Sequence, residues 1–211
     1  MPAKGSLSWI GGMMLFTLAV GYISKSFTGL VFYILLILFI IGAILTLFFF
    51  IFFRDPERCS PGDEDDAVSP ADGRVISIQN RKICVFMNIH NVHVNRAPLA
   101  GTVTNIDYKP GGYIPAFNKD SLVNERNHVV LDTGSGVLEL TQIAGVLTRR
   151  IVSYISVGSL VKRGERIGMI RFGSRVDVII PEGYGFIVKL NDKVKAGCTI
   201  IARKKEKIKG Q

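Results

Sequence analysis

The pattern of hydrophobic and polar positions divides the chain in two near Arg54. Leu30–Phe53 is a run of 24 residues without a charge, and a helix of that length can cross the apolar core of a bilayer. Leu7–Ile23 is a second, weaker apolar segment of 17 residues. A signal peptide is one interpretation of this first segment. The stronger run directly behind it favours a membrane-spanning helical hairpin, so we predict a membrane anchor over residues 1–53.

The chain after Arg54 has the pattern of a β protein. Short β-branched stretches alternate with Gly-containing turns, as is typical of an all-β barrel or sandwich. The predicted strands include Arg74–Ile78, Ile83–Met87, Gly101–Ile106, His128–Leu131, Val137–Leu140, Ile151–Ile155, Arg166–Ile170 and Val176–Ile180. The pattern V-K-x-G-x-x-I occurs twice, at Val161–Ile167 and Val194–Ile200, and predicts two similar tight turns, each followed by a strand. We therefore expect a mainly β, barrel-sandwich-like domain over residues 54–211.

Charge is distributed as unevenly as hydrophobicity. The chain has 26 Lys+Arg against 17 Asp+Glu, yet only Lys4 and Lys25 precede Arg54. A basic body suits contact with an anionic membrane surface. Nucleic acid is the less favoured partner, because the basic residues are scattered and show no zinc-finger spacing. Arg54 and Arg58 follow the second apolar run, so the positive-inside rule predicts a body on the cytoplasmic side of the cell membrane.

Cysteines and acidic residues add little chemistry. The three cysteines, Cys59, Cys84 and Cys198, are widely spaced, which argues against a disulfide framework or a structural zinc site. The acidic run Asp63–Asp66 follows Pro61-Gly62 and indicates a solvated loop between anchor and body. A metal site there is the less favoured interpretation, because the spacing does not match a known calcium loop.

Histidines and Gly-Ser pairs are the candidate reactive groups. His90 and His93 lie three residues apart and could bind a metal with a third ligand, or could simply be one buried and one exposed polar residue. Asp72 lies in a Pro-Ala-Asp-Gly turn. Of four Gly-Ser pairs, Gly173-Ser174 is unusual because it interrupts what would otherwise be one continuous strand. Local pattern alone does not choose among these interpretations.

Five motifs taken together resemble a known family. In chain order they are Phe53-Arg-Asp-Pro-Glu-Arg, Ser69-Pro-Ala-Asp-Gly-Arg-Val, His90-Asn-Val-His-Val-Asn-Arg-Ala-Pro-Leu-Ala-Gly, Asn124-Glu-Arg-Asn and Phe172-Gly-Ser-Arg-Val. Each motif is weak alone, but the five in this order resemble the short phosphatidylserine decarboxylases and the similar archaetidylserine decarboxylases. The resemblance covers nearly all of the chain after Phe53.

The resemblance implies an enzyme that makes its own cofactor. Self-cleavage between Gly173 and Ser174 would give a β chain, 1–173, and an α chain, 174–211, which stay together as a heterodimer, with higher oligomers left open. Ser174 would become a covalent pyruvoyl group. The enzyme would then need no separately bound cofactor and no metal. The family assigns the base to His93, with Asp72 orienting and charging it, and a proton donor to His93 or His90. The substrate would be a serine phospholipid of the membrane.

Two other functions stay open at this point. One is a non-catalytic, membrane-anchored barrel-sandwich adaptor, which the repeated turns favour. The other is a metal-dependent membrane hydrolase using His90, His93 and acidic residues, although the chain lacks an H-E-x-x-H motif. His128 has no assigned role.

Overall fold

The protein consists of two compact units, Met1–Pro56 and Glu57–Gln211. The computed structural model describes residues 1–111, 124–145, 151–171 and 174–206. Phe172 and Gly173 of the Gly-Ser motif therefore lie outside the described residues. The first unit is helical and the second is built of β-strands, so the fold class predicted from the sequence is confirmed.

The first unit is a pair of apolar helices. Helix α1 covers Leu7–Ser24 and helix α2 covers Gly29–Phe52. Small residues let the two helices approach closely. A Cβ on Gly42 would lie 2.6 Å from the hydroxyl oxygen of Thr17. The hydroxyls of Thr17 and Thr46 are 3.2 Å apart and share a hydrogen bond between the helices.

Both helices are long and apolar enough, by length and composition, to cross a membrane. Their large apolar side chains point outward: Leu30 is 76% exposed and Leu47 is 62% exposed. A helix that is apolar on all sides and not covered by protein is the kind that a bilayer accommodates. These features make the unit suited to membrane association.

The ends of the hairpin meet. The amide of Ala3 donates to the carbonyl of Phe53 at 2.7 Å, and Pro2 forms an isolated β-bridge with Arg54. Lys4 and Arg54 therefore lie at one end of the hairpin, and Lys25 lies in the turn at the other end.

The second unit contains fourteen strands within the described residues. They are β1 Ala67–Val68, β2 Gly73–Gln79, β3 Lys82–Met87, β4 Val94–Arg96, β5 Gly101–Lys109, β6 Arg126–Thr133, β7 Gly136–Ala144, β8 Ile151–Ser153, β9 Leu160–Val161, β10 Arg166–Ile170, β11 Ser174–Ile179, β12 Tyr184–Phe186, β13 Lys193–Val194 and β14 Ile200–Lys204. Each strand predicted from the sequence is present, with bounds shifted by a few residues.

The strands form one large antiparallel sheet and two small ones. The large sheet has the order β13-β2-β3-β11-β7-β6-β5-β9, and the small sheets have the orders β1-β14-β12 and β4-β10-β8. Alternate residues of the large sheet face the core, where Val85, Val176 and Leu140 are fully buried. The sheet curls into a half-barrel around this core.

The two repeated turns have the geometry that their sequence predicts. Gly164 has φ +76° and Gly197 has φ +69°, a left-handed conformation that glycine adopts at no steric cost. The guanidinium of Arg96 donates to the carbonyl of Gly164 at 2.8 Å, and a Cβ on Gly197 would lie 2.8 Å from Cδ of Arg96. Arg96 thus lies between the two turns, which are neighbours in the fold.

We expect the cysteines to differ sharply in reactivity. Burial, with the Asp177 carboxylate beside it, raises the pKa of the Cys84 thiol to about 12, whereas Cys59 is exposed. Because only the thiolate is alkylated, fewer than about one in a thousand Cys84 thiols is reactive at pH 8.5. Iodoacetamide at that pH should modify Cys59 and spare Cys84, as read by peptide mass spectrometry. In guanidinium chloride all three cysteines should react, and rapid labelling of Cys84 in the folded protein would contradict the expected burial.

Candidate active site

Ser174 is the first residue of β11, a central strand of the large sheet. Its neighbours in register are Met87 on β3 and Ala144 on β7, so its side chain lies on the core face with theirs. Ser174 is fully buried. Its hydroxyl oxygen makes no hydrogen bond with any residue that the structure describes, which is unusual for a buried polar group.

The Gly-Ser motif lies where the chain passes between sheets. β10 ends at Ile170 in a small sheet and β11 begins at Ser174 in the large sheet. The expectation of one interrupted strand is therefore refined: the two stretches are separate strands in different sheets. Each strand is held by its own neighbours, which fixes both ends of the short segment that joins them.

The loop carrying His90 and His93 is tied to both of those strands. It starts after Met87, which lies opposite Ser174. It ends at His93, whose carbonyl accepts a hydrogen bond from the amide of Ile170 at 3.2 Å. Ile170 and Ser174 are four residues apart, so their Cα atoms are separated by at most about 14 Å. The fold thus brings the backbones of His93 and Ser174 into one region.

His93 is buried and His90 is exposed. Nδ1 of His93 lies 2.9 Å from the carbonyl oxygen of Asn91. A carbonyl can only accept, so Nδ1 carries the proton and, in the neutral ring, Nε2 is the basic nitrogen. The backbone of its own loop therefore sets the tautomer of His93.

Asp72 is buried and held by four hydrogen bonds. The guanidinium of Arg58 donates to both carboxylate oxygens, with Nη2 at 3.0 Å from Oδ2. The amide of Ala196 donates at 2.8 Å and the amide of Val92 at 3.4 Å. Asp72 therefore reaches the backbone directly before His93, rather than the imidazole ring. Arg58, which follows the apolar run in the sequence, is also the partner of this carboxylate, and its side chain is 9% exposed.

A cavity of about 340 Å³ opens beside this loop. It is lined by Asp72, Gly73, Arg74, Asn88, His90, Asn91, Lys193, Val194 and Lys195. His93 and Ser174 are not among the lining residues, so the four predicted site residues fall into two sets. Asp72 and His90 face the cavity, and His93 and Ser174 lie within the protein.

A buried amide network lies beside Ser174, and the sequence had assigned no role to its members. Nε2 of Gln142 donates to Oδ1 of Asn95 at 2.8 Å, and Nδ2 of Asn127 donates to Oε1 of Gln142 at 3.0 Å. Asn95 also contacts the sulfur of Met87, the residue opposite Ser174. Two of these residues belong to motifs quoted above: Asn95 follows His93 by two positions, and Asn127 ends the Asn-Glu-Arg-Asn motif. That motif membership was the one available signal.

The same Asn-Glu-Arg-Asn motif braces the strand next to Ser174. The side-chain amide of Asn124 donates to the carbonyl of Ala144 at 2.8 Å, and the amide of Ala144 donates to the carbonyl of Glu125 at 2.9 Å. Burial lowers the pKa of the nearby Arg171 guanidinium, and the charges of Tyr154 and Glu125 oppose this shift. The motif thus supports the start of β11 from one side.

Two other candidates from the sequence, His128 and the acidic run Asp63–Asp66, make contacts that support the fold. Nδ1 of His128 lies 2.9 Å from the hydroxyl of its cross-strand neighbour Thr141. In the acidic loop, ligand atoms of Asp63, Asp65 and Asp66 lie within 4.8 Å of one another. Asp66 accepts a hydrogen bond from the amide of Asp63 and pairs with Arg203, so these contacts close the loop.

Comparison with known proteins identifies the family. The profile of the family described as phosphatidylserine decarboxylase matches residues 45–202. A protein of Methanococcoides burtonii named as an archaetidylserine decarboxylase proenzyme is 49% identical over 207 residues, covering 97% of each chain. A phosphatidylserine decarboxylase proenzyme of Streptomyces coelicolor is 52% identical over 157 residues, covering 72% of this chain and 71% of its own. The chain belongs to the phosphatidylserine decarboxylase family.

Gln142→Leu should destabilise the body, because it leaves the amides of Asn95 and Asn127 without their shared partner. A buried polar group left unsatisfied costs about 1–3 kcal/mol, so we expect a clear fall in the free energy of unfolding, measured by denaturant titration in detergent. Thr104→Val, on the exposed part of β5, is the matched control and should change stability by no more than about 0.5 kcal/mol. Equal stability of the two variants would contradict a role for the network.

Proposed function

We propose that this protein is a self-processing decarboxylase that converts a serine phospholipid, phosphatidylserine or archaetidylserine, into the ethanolamine phospholipid. The observation that carries the proposal is the state of Ser174. It is fully buried, it begins a central strand directly after Gly173, and its hydroxyl is uncommitted among the described residues. A nucleophile held in position without a hydrogen-bond partner suits attack on its own backbone. The names of the relatives, which are proenzymes, agree with this reading.

The arrangement of strands supports a cleaved protein that stays in one piece. A cut before Ser174 would leave β11 in the new chain 174–211, yet β11 is hydrogen-bonded to β3 and β7 of the chain 1–173. In the same way β13 pairs with β2, and β14 pairs with β1. Because the two chains share four strand pairings, they remain together as a heterodimer without the covalent bond.

Processing uses Ser174 as nucleophile and His93 as base. The hydroxyl oxygen of Ser174 attacks the carbonyl carbon of Gly173, the C–N bond breaks, and an ester forms. Nε2 of His93 takes the hydroxyl proton and returns it to the released amine. A base then removes the Cα proton of Ser174, a Cα–Cβ double bond forms, and the Cβ–Oγ bond breaks, which frees a chain that ends in the Gly173 carboxylate. Water replaces the amine of the remaining dehydroalanine, ammonia leaves, and residue 174 becomes a pyruvoyl group.

Asp72 acts on His93 through the backbone. Its carboxylate accepts from the amide of Val92 and is neutralised by Arg58. It therefore holds the loop that carries both histidines, and it contributes little net charge to the imidazole. Breaking such a buried pair by removing one partner is costly, so Asp72 has a structural role alongside its proposed catalytic one.

The second reaction is decarboxylation of the lipid headgroup. The pyruvoyl carbonyl supplies an electron sink for the electron pair released as CO2 leaves. Residue 174 fits this group, because it is buried and its neighbour in register, Ala144, is small. His90 faces the cavity from the solvent side, so it is the proposed donor of the proton that replaces the carboxylate, with His93 as the alternative.

The anchor keeps the body at the membrane that contains the substrate. Lys4 and Arg54 lie at one end of the hairpin and Lys25 at the other. The end that continues into the body has two positive charges and the other end has one. The positive-inside rule therefore predicts that the first of these ends is cytoplasmic. A diacyl or diether lipid does not leave the bilayer readily, so an anchored enzyme can reach it in place.

Substitution of Ser174 tests the processing step. Ser174→Ala should stay a single chain, and the unaltered protein should yield a C-terminal fragment that starts at residue 174, lacks a free amine and has the pyruvoyl mass. His93→Ala should slow cleavage about 100-fold or more, because general base catalysis contributes about that much. His128→Ala is the matched histidine control and should cleave normally. Intact-mass analysis reads all four proteins, and an unaltered chain that stays whole would leave the adaptor as the better function.

Reagents that attack carbonyl groups test the cofactor. Borohydride or hydroxylamine should abolish CO2 release from a serine phospholipid, because each removes the reactive carbonyl at residue 174. A chelator such as EDTA should leave CO2 release unchanged. The reverse result, sensitivity to EDTA with resistance to hydroxylamine, would support a metal-dependent hydrolase built on His90 and His93.

A further inference from the structure

Three cations share the cavity beside the histidine loop. Arg74, Lys193 and Lys195 line it together with His90 and Asp72. Across the described ranges, none of these three cations forms an ion pair with a carboxylate. The one carboxylate in the cavity wall, Asp72, already pairs with Arg58, so it does not offset them. The electrostatic potential in the cavity is therefore strongly positive.

The strand register brings these cations close together, and their repulsion destabilises the folded protein. Lys193 on β13 lies directly opposite Arg74 on β2, and like charges directly opposite each other on neighbouring strands are destabilising. Lys195, two residues further on, adds a third charge to the same cavity. Other cations of the body have carboxylate partners, as in the pairs Arg175–Asp177 at 2.8 Å and Lys82–Asp177 at 2.9 Å. An anion bound between Arg74 and Lys193 would turn their repulsion into attraction.

The register also links the cavity to the reactive residue. Arg74 lies opposite Phe86, and Phe86 lies opposite Arg175, the residue after Ser174. Side chains alternate between the two faces of a sheet, so Arg74, Phe86 and Arg175 lie on the face opposite to that of Ser174 and Met87. Asn88 and His90, which also line the cavity, follow Met87, the direct neighbour of Ser174. The cavity therefore opens at the edge of the sheet where β3 ends and β11 begins, about two strand spacings, or roughly 10 Å, from the backbone of Ser174.

We propose that Arg74, Lys193 and Lys195 bind the phosphodiester of the substrate headgroup. This inference rests on the proposed function and adds to it the residues that select a phosphoserine headgroup. In such a headgroup the phosphate is only a few bonds from the amine, so a phosphate held in the cavity keeps the amine near the sheet edge at which residue 174 lies. Lysine and arginine are the residues that bind phosphate best, through charge-assisted hydrogen bonds.

Bulk anionic lipid is the other source of the same chemistry. A basic patch can attract the surface of a membrane without selecting one headgroup. The experiment therefore uses a short-chain, water-soluble diacyl phosphoserine below its micelle concentration, so that no lipid surface is present. Any effect on this monomeric substrate comes from the headgroup itself.

The test compares the processed protein with a Lys193→Gln/Lys195→Gln variant. The KM for the monomeric phosphoserine lipid should rise at least about fivefold, because two charge-assisted contacts to phosphate are lost at an exposed site. The kcat should stay within about twofold, because these contacts bind the ground state and the transition state alike. Inorganic phosphate should inhibit the unaltered enzyme competitively, and the variant more weakly. Intact mass first establishes that both proteins are processed to the same extent.

The matched control removes the same charge elsewhere. Lys189→Gln/Lys205→Gln changes two exposed lysines outside the cavity and should leave KM unchanged. Equal increases in KM for the two double variants would mean that net charge alone acts, and would overturn the proposal. An unchanged KM for Lys193→Gln/Lys195→Gln would overturn it as well.

A binding measurement separates this inference from the proposed function. Calorimetric titration of the uncut Ser174→Ala protein with the same monomeric lipid should give binding that weakens when Lys193 and Lys195 are replaced. This readout needs no cleavage and no turnover. If binding depends on the lysines but the unaltered protein neither cleaves nor releases CO2, the phosphate site stands and the decarboxylase proposal fails. If binding is indifferent to the lysines, the phosphate site is wrong whatever the activity.

Discussion

The rest of the body depends on the double pairing of β11. This strand has hydrogen-bonded neighbours on both sides, β3 and β7, so the position of its first residue, Ser174, is set by two strands rather than by a loop. A cut before a central strand would leave that strand in place, because its hydrogen bonds to both neighbouring strands do not depend on the broken peptide bond. The same pairing fixes the position of the proposed nucleophile, and it would hold the two chains together after the proposed cleavage.

Around this strand, three sets of polar contacts hold the histidine loop and the strand that follows it. Asp72 and Arg58 hold the backbone at Val92, Asn91 sets the tautomer of His93, and the Asn95–Gln142–Asn127 amides tie the strand after His93 to the sheet. Buried polar groups cost free energy unless they are satisfied. A network of this kind in an otherwise apolar core makes one arrangement of the histidine loop much more stable than the others. That precision is what a single intramolecular attack by a weak nucleophile requires.

Much of the architecture could be predicted from residue patterns. The uncharged run before Arg54 indicated the helices, because helix length and hydropathy are local properties. The β-branched stretches indicated the strands, and the two V-K-x-G turns were found at Gly164 and Gly197 with the expected left-handed backbone. Pattern alone could not show that Arg166–Ile170 and Ser174–Ile179 belong to different sheets, because sheet partners are chosen by contacts far apart in the chain. The ion pair of Arg58 could not be predicted for the same reason: its partner Asp72 is 14 residues away and its acceptor Ala196 is 138 residues away.

The sequence by itself determined the two-part organisation, the mainly β body and, through five motifs in order, the family. It also named Ser174, His93, Asp72 and His90 as candidates. Only the tertiary structure decided that Asp72 and His90 face a cavity while His93 and Ser174 are buried. It also decided that Arg74 and Lys193, far apart in sequence, lie opposite each other. The reason is that burial and charge repulsion depend on which strands become neighbours, and the pairing of distant strands is settled by the packing of the whole core.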